Sequence, residues 1–173
     1  MFLVGVSGND PKNDFEIFLK NYAWLLAVGV AIIIILVIVI IFVIKNKKEK
    51  LVYVTDTGMI PDKTLDKMKN ADYYIIESNH NIKKLHQTNR PAYLKLRILS
   101  DEGHLSNEAS AIYMSELVGN KTKEIILAHL SEEANEPELA LKAYKKIFQK
   151  AHIDLDKIYL HCASQREIVE GGK

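Results

Sequence analysis

At positions 22–44 the sequence reads YAWLLAVGVAIIIILVIVIIFVI, and this stretch decides the organisation of the chain. None of these 23 residues is charged, and a helix of that length reaches about 34 Å, enough to cross the hydrocarbon core of a bilayer. A helix buried in a soluble core seldom stays apolar around its whole circumference for so long. The stretch therefore predicts one transmembrane helix, assigned to residues 21–45, with the lipid bilayer as its partner.

The residues on either side of this helix indicate that it is not cleaved off as a signal peptide, and they also indicate its orientation in the membrane. A cleaved signal peptide would have a basic start and a shorter apolar region, of about 7 to 15 residues. Here acidic residues precede the apolar stretch and lysines follow it: Asp10, Asp14 and Glu16, then Lys45, Lys47, Lys48 and Lys50. Because lysines are retained on the cytoplasmic side, a single-pass protein with its N-terminus outside is predicted. Residues 1–20 then form a short extracytoplasmic tail, and residues 46–51 form a basic juxtamembrane linker to a cytoplasmic domain.

The composition after the apolar stretch fits one modest domain. The chain has 173 residues; residues 1–50 carry a net charge of +2 and the remainder about −1, so neither part is a basic nucleic-acid binder by net charge. The single cysteine, Cys162, cannot form an internal disulfide, and the sequence lacks the CxxC pairs of a structural zinc site. These features favour a reducing compartment.

Short apolar runs alternate with helical patterns after residue 50. Four runs have the length and the β-branched and aromatic content of strands: LVYVTD, ADYYIIES, KEIILAHLS and KIYLHCAS. Helices are predicted over residues 61–70, from an N-cap at Ser106 to a stop at Gly119, and from near Pro137. The last helix places an apolar stripe toward the core, made of Ala140, Ala143, Tyr144, Ile147, Phe148 and Ala151. The pattern predicts an α/β domain over residues 52–163 and a tail over residues 164–173.

Four polar motifs stand where elements meet. TDTG at 55–58, ESNH at 77–80 and AHLS at 128–131 follow strands, while GHLSN at 103–107 precedes a helix. α/β proteins commonly assemble their sites at such places, and Asp, Glu and His can bind a metal ion or move protons. Singly, each motif is also what a turn or a packed strand end requires. Together they indicate a site made from Asp56, Glu77, His80, His104 and His129.

The order and density of these motifs resemble a known family. VTDTG, YIIESNH, LSDEGHLSNEAS and IILAHLSEEANEPELAL, spread over residues 52–148, resemble the C-terminal half of metallo-β-lactamase-fold hydrolases, specifically the YycJ-type, nuclease-like branch. The resemblance implies half of an αββα sandwich and a divalent metal cofactor, zinc or manganese. It implies that Asp56 bridges two metal ions and that His129 binds one of them. By the same resemblance Glu77 and His104 form a catalytic proton-transfer pair, and His80 is an additional site residue.

One motif of that family is missing from the sequence. The HxHxDH cluster, which supplies the family's first metal ligands, does not occur, and no histidine precedes His80. The expected protein is a membrane-anchored, truncated hydrolase, which is a metal-dependent phosphodiesterase or nuclease if the missing half is supplied. The alternative is a non-catalytic, membrane-tethered interaction or structural module. A complementing chain, a homodimer and a remnant without a partner all remain open.

A local basic stretch between the ESNH and GHLSN motifs bears on nucleic acid as a partner. It consists of Lys83, Lys84, Arg90, Lys95 and Arg97. These side chains could contact phosphates, and a solvated surface accounts for them at least as well. Nucleic acid therefore stays an open partner that the net charge does not support.

Overall fold

The computed structural model describes residues 11–45 and 48–172. Its first unit is one helix, α1 (Pro11–Lys45), within which Phe15–Ile44 is long and apolar enough to cross a membrane. The helix begins at Pro11 rather than at residue 21, because proline is well suited to a first helical position and no breaker follows it. Residues 1–10 of the predicted tail, residues 46 and 47 of the predicted linker, and residue 173 lie outside the described residues.

The second unit is a mixed α/β domain built on one parallel sheet. Its strands are paired in sequence order: β1 (Leu51–Val54), β2 (Tyr73–Glu77), β3 (Glu124–Ala128) and β4 (Tyr159–Cys162). Its helices are α2 (Asp62–Met68), α3 (Ile82–Gln87), α4 (Ala92–Leu99), α5 (Asn107–Leu117) and α6 (Pro137–Lys150), with a 3-10 turn at Leu155–Lys157. The four predicted strands and the three predicted helices are present, whereas α3 and α4 are additional.

One face of the sheet carries the core. Strand alternation turns Tyr74, Ile76, Ile125 and Leu127 toward this face, where all four are fully buried. They form one cluster with buried side chains of α5 and α6, namely Ala111, Met114, Leu117, Ala140, Tyr144 and Phe148. Burying each large side chain of this kind contributes about 1.5–3 kcal/mol. Of the predicted stripe on α6, Ala151 is exposed, because it caps the helix beyond its last turn.

The opposite face of the sheet is largely open. Leu51 and Tyr53 of β1 and Tyr159 of β4 are 59%, 65% and 46% exposed, respectively. Toward the middle of the same face Gly172 donates its backbone N–H to the Glu124 carboxylate, so the end of the chain covers a small part of it. Parallel sheets are almost always covered on both faces. Within residues 49–172, the main core cluster, with side chains of α5 and α6, packs against the face that carries Tyr74 and Ile125.

The start and end of α5 follow local rules. Ser106 caps the helix as predicted, since its Oγ accepts a hydrogen bond of 3.1 Å from the N–H of Ala109. The helix ends at Leu117, two residues before the predicted stop. The lack of a side chain at Gly119 leaves room for Asn70, whose Oδ1 would lie 2.4 Å from a Cβ there and accepts a hydrogen bond of 3.1 Å from the N–H of Lys121.

Parallel strands place their carboxyl ends at one edge of the sheet. The TDTG, ESNH and AHLS motifs follow β1, β2 and β3 and so meet at this edge. GHLSN joins them from the loop between α4 and α5, where His80 forms a parallel bridge with Ser106. All four motifs therefore lie together, and the candidate site is at this edge.

Candidate metal centre

Glu77 is the centre of the site. It is the last residue of β2 and is fully buried, and its Oε1 lies 2.7 Å from Nδ1 of His104 and 2.7 Å from Nδ1 of His129. Its other oxygen, Oε2, accepts a hydrogen bond of 2.9 Å from the backbone N–H of Thr57. One buried carboxylate thus joins the ends of β1, β2 and β3 to the loop before α5.

This arrangement fixes the orientation of both imidazole rings. A carboxylate accepts hydrogen bonds, so the two contacts to Glu77 fit rings that donate from Nδ1 and present the Nε2 lone pair. The ring centroids of His104 and His129 are 5.1 Å apart. Nε2 of His129 faces Oδ1 of Asp56 at 3.6 Å. Carboxylate–histidine pairs of this kind orient imidazoles as metal ligands in many proteins.

The donor set fits a divalent metal ion. Asp56, His104 and His129 each offer one ligand atom, and these atoms all lie within 4.8 Å of one another. Two imidazoles and one carboxylate are ligands that zinc and manganese accept, and three protein ligands leave a position open for a substrate or water. The structure thus brings Asp56 and His129, the predicted ligands, together with both members of the predicted proton-transfer pair.

Two of these residues have a left-handed backbone conformation. Asp56 has φ of 58° and His129 has φ of 57°, in a region that Asp and His adopt more often than most residues with a side chain. Asn79 stabilises the turn at His129, since its Nδ2 donates to the His129 carbonyl oxygen at 2.8 Å. In these turns Nε2 of His129 lies 3.6 Å from Oδ1 of Asp56.

A buried amide network supports this edge, and sequence analysis missed it. Asn135 donates through Nδ2 to the carbonyl oxygens of Ser78 and Asn79, at 2.8 and 3.0 Å, and it exchanges hydrogen bonds with Asn107. The three asparagines are all buried. Satisfied buried amides are rigid and specify one arrangement of the chains they connect. Their only sequence signal is polar residues next to apolar runs, which is also typical of turns.

His80, the additional predicted site residue, is not brought into the cluster. Its side chain is 1% exposed, and in the described structure neither ring nitrogen has a hydrogen-bond partner. Burial, together with a smaller effect of positive charge on His104 and His86, lowers the pKa of His80 to about 4. His80 is therefore a neutral imidazole packed behind the site.

A cavity of about 710 Å³ opens beside the cluster. Asp56, His104 and His129 line it together with two arginines of the predicted basic stretch, Arg90 and Arg97. Glu102, Glu132 and Glu133 also line it, and Glu133 pairs with Arg90 at 2.8 Å. The cavity is large enough for a small ligand or for one or two nucleotide units.

The chain is similar in sequence to curated exodeoxyribonucleases. Over 105 residues it is 38% identical to Exodeoxyribonuclease YycJ of Bacillus anthracis. The aligned region covers 61% of this chain and 40% of that protein. Over 89 residues it is 49% identical to Exodeoxyribonuclease WalJ of Streptococcus pneumoniae, in strains D39 and R6. The aligned region covers 51% of this chain and 33% of those proteins. No family model matches the chain.

These nucleases are homologues of the chain over about half of its length, which confirms the predicted YycJ-type resemblance. The chain spans only about 33–40% of the length of the curated relatives that it matches.

Proposed function

We propose that residues 49–172 form the metal-binding part of a metal-dependent hydrolase that cleaves phosphodiester bonds in DNA. The observation that carries the proposal is the Glu77 carboxylate at 2.7 Å from Nδ1 of both His104 and His129, with Asp56 facing the same point. The names of the YycJ and WalJ relatives support DNA as the substrate. The sheet would then be one half of an αββα sandwich.

Each residue of the cluster has a proposed role. Asp56, His104 and His129 would hold the divalent ion, zinc or manganese, which when bound supplies Lewis-acid polarisation of a phosphoryl oxygen. Glu77 is a positioning residue, because it is fully buried and both of its oxygens are already engaged by Thr57 and the two rings. This role differs from the proton-transfer role that the resemblance implies for Glu77. His104 is 30% exposed at its side chain and lines the cavity, so its Nε2 can serve there either as a metal ligand or as a proton carrier, and not as both at once.

A second polypeptide would complete the site. Three protein ligands suffice for one ion, and the HxHxDH motif, which supplies the family's first metal ligands, is absent from the sequence. The open face of the sheet, with Leu51, Tyr53 and Tyr159 exposed, offers a surface on which that polypeptide would pack. A complementing chain is the proposed partner, and a second copy of this chain is the alternative.

The same open face favours a second candidate function, a non-catalytic interaction module tethered to the membrane. Under that proposal the sheet face binds a partner and the cluster holds no metal. The two candidates differ in two measurable properties, since only the hydrolase binds a metal ion at the cluster and loses an activity when Asp56 is replaced.

Membrane attachment is part of both proposals. We propose that α1 spans the bilayer with the domain in the cytoplasm, because Lys45, Lys47, Lys48 and Lys50 follow the apolar stretch. A cysteine introduced at Lys48 tests this orientation in sealed cells or vesicles with a membrane-impermeant maleimide. The proposal expects labelling only after the membrane is opened, and labelling of intact cells contradicts it.

The activity is tested with the full chain in detergent, end-labelled DNA, and zinc or manganese. We expect release of nucleotides by the wild type and at least a hundredfold lower rate for Asp56→Ala, with His86→Ala as the matched control on an exposed histidine outside the cluster. No release by the wild type, alone or with the N-terminal part of a YycJ homologue added, would favour the interaction module.

A further inference from the structure

We propose that the exposed face of α4 binds single-stranded nucleic acid next to the metal cluster. Arg97 contacts a phosphate beside the scissile one, and Tyr93 stacks on the base of a nucleotide farther out. The proposal rests on the proposed hydrolase function and adds the strandedness of its substrate and the residues that bind it. α4 is one of the two helices that the sequence did not predict.

Arg97 is placed to contact a phosphate of a bound strand. It lines the same cavity as Asp56, His104 and His129. Among the described residues the hydrogen bonds to Arg97 reach its carbonyl oxygen and not its guanidinium, and the arginine ion pairs are those of Arg90 and Arg166. A guanidinium that faces a cavity without a protein partner matches a phosphate in charge and in its paired donor geometry.

The other basic residues of the stretch are engaged or lie elsewhere. Lys84 pairs with Glu136 at 2.6 Å, Arg90 pairs with Glu133 at 2.8 Å, and Lys95 donates to two backbone carbonyl oxygens. Lys83 is exposed and does not line the cavity. The structure therefore separates Arg97 from four residues that look equivalent in the sequence.

Tyr93 lies on the same face of α4 as Arg97 and does not line the cavity. It precedes Arg97 by four residues, so the two side chains are neighbours on one helix face, about 6 Å apart along the axis. Tyr93 is 74% exposed, and Leu96 beside it is 69% exposed. Two large, adjacent exposed side chains next to an unpaired arginine match the stacking platform and cation of single-strand binding sites.

The combination favours a single strand over a duplex and over a lipid surface. The bases of a duplex are stacked on each other, so their faces cannot reach Tyr93, whereas an unpaired strand offers them. A membrane would contact Tyr93 and Leu96, but it would not use a cation in the cavity beside Asp56 and the two histidines.

Binding is tested without metal, so that the result does not depend on hydrolysis. The full chain in detergent with EDTA is titrated into a fluorescein-labelled thymidine 12-mer, and anisotropy is measured at several salt concentrations. We expect Arg97→Ala to weaken binding severalfold and to lower the slope of log K against log salt by about 0.7, the value for one phosphate of a single strand. Arg97→Lys should keep the slope and recover part of the affinity.

Tyr93→Ala should weaken binding about tenfold without changing the salt slope, because the substitution removes a stacking contact and leaves the charge of the protein unchanged. Lys83→Ala is the matched control and should bind as the wild type does. The proposal is overturned by absence of wild-type binding, by tighter binding of a duplex of the same length, or by wild-type behaviour of either the Arg97→Ala or the Tyr93→Ala protein.

Hydrogen exchange distinguishes nucleic acid from lipid at this face. With the full chain in nanodiscs that contain phosphatidylserine, the oligonucleotide should protect the α4 amides and the lipid alone should not. Protection by lipid alone assigns the face to the membrane and rejects the proposal. Arg97-dependent binding by a chain that has no hydrolytic activity would leave this proposal standing while the proposed hydrolase function fails.

Discussion

Replacing His80 with leucine should remove much of the domain's sensitivity to acid. The folded domain holds the pKa of His80 at about 4, against 6.5 for a free side chain, because the imidazole is buried and unpaired. Between these two values the unfolded chain binds the proton and the folded chain does not. Stability is therefore highest above about pH 6.5 and is lost progressively as the pH falls toward 4.

The size of the effect follows from the same two values. A difference of one pKa unit corresponds to about 1.36 kcal/mol, so the full loss below pH 4 is roughly 3.4 kcal/mol. Integrating the linkage relation from about pH 7 to about pH 4.5 gives a loss of roughly 2.4 kcal/mol. The domain's total stability is expected to be about 5–15 kcal/mol, so this loss is measurable by urea unfolding.

The assay is urea unfolding of the full chain in detergent at pH 7 and pH 4.5, followed by tyrosine near-ultraviolet circular dichroism. Buried Tyr74 and Tyr144 report the domain rather than α1. His80→Leu should match or exceed the wild-type stability at pH 7 and lose about 2.4 kcal/mol less on acidification. His86→Asn, on an exposed histidine, should retain the wild-type pH dependence. Equal losses in the wild type and His80→Leu would refute the reasoning.

Three further outcomes are expected. The buried Tyr144 hydroxyl lies 2.6 Å from Ser110 Oγ, so Ser110→Ala leaves it unpaired and should lower the free energy of unfolding by about 1–3 kcal/mol. Adding Tyr144→Phe should recover most of that loss, and no recovery would contradict the explanation. Gly58→Ala should destabilise the domain by about 1–3 kcal/mol or more in urea, because its Cβ would lie 2.0 Å from a backbone oxygen; wild-type stability would contradict this. Burial raises the pKa of Cys162 to about 11, so alkylation at pH 8 should be at least tenfold slower in the native chain than in urea, and equal rates would count against that environment.

Local sequence signals predicted the framework of the domain. Apolar runs located the four strands, Ser106 located the start of α5, and Pro137 located the start of α6. These signals succeed because strand burial, capping and the fixed φ of proline each depend on a few neighbouring residues. The two unpredicted helices, α3 and α4, are six and eight residues long and are too short for a clear periodicity.

The candidate residues could be predicted, but their arrangement could not. Polar residues after strands pointed to Asp56, Glu77 and His129, since parallel strands end at one edge. That a single carboxylate would orient both His104 and His129 depends on distances between segments far apart in the sequence. His80 was predicted as a site residue but is buried and unpaired outside the cluster. Nothing in the ESNH motif distinguishes these two environments of an imidazole.

The most direct test of the account is the metal content and zinc affinity of the full chain, measured by elemental analysis and chelator competition. We predict close to one ion per chain for the wild type and for His86→Ala, and loss of tight binding in His129→Ala. Glu77→Gln should bind about 10–100-fold more weakly, because a glutamine amide has one oxygen and one NH2 group and cannot accept the hydrogen bonds from Thr57 and from both rings. No bound metal in the wild type, or equal affinity in wild type and His129→Ala, would contradict the metal centre.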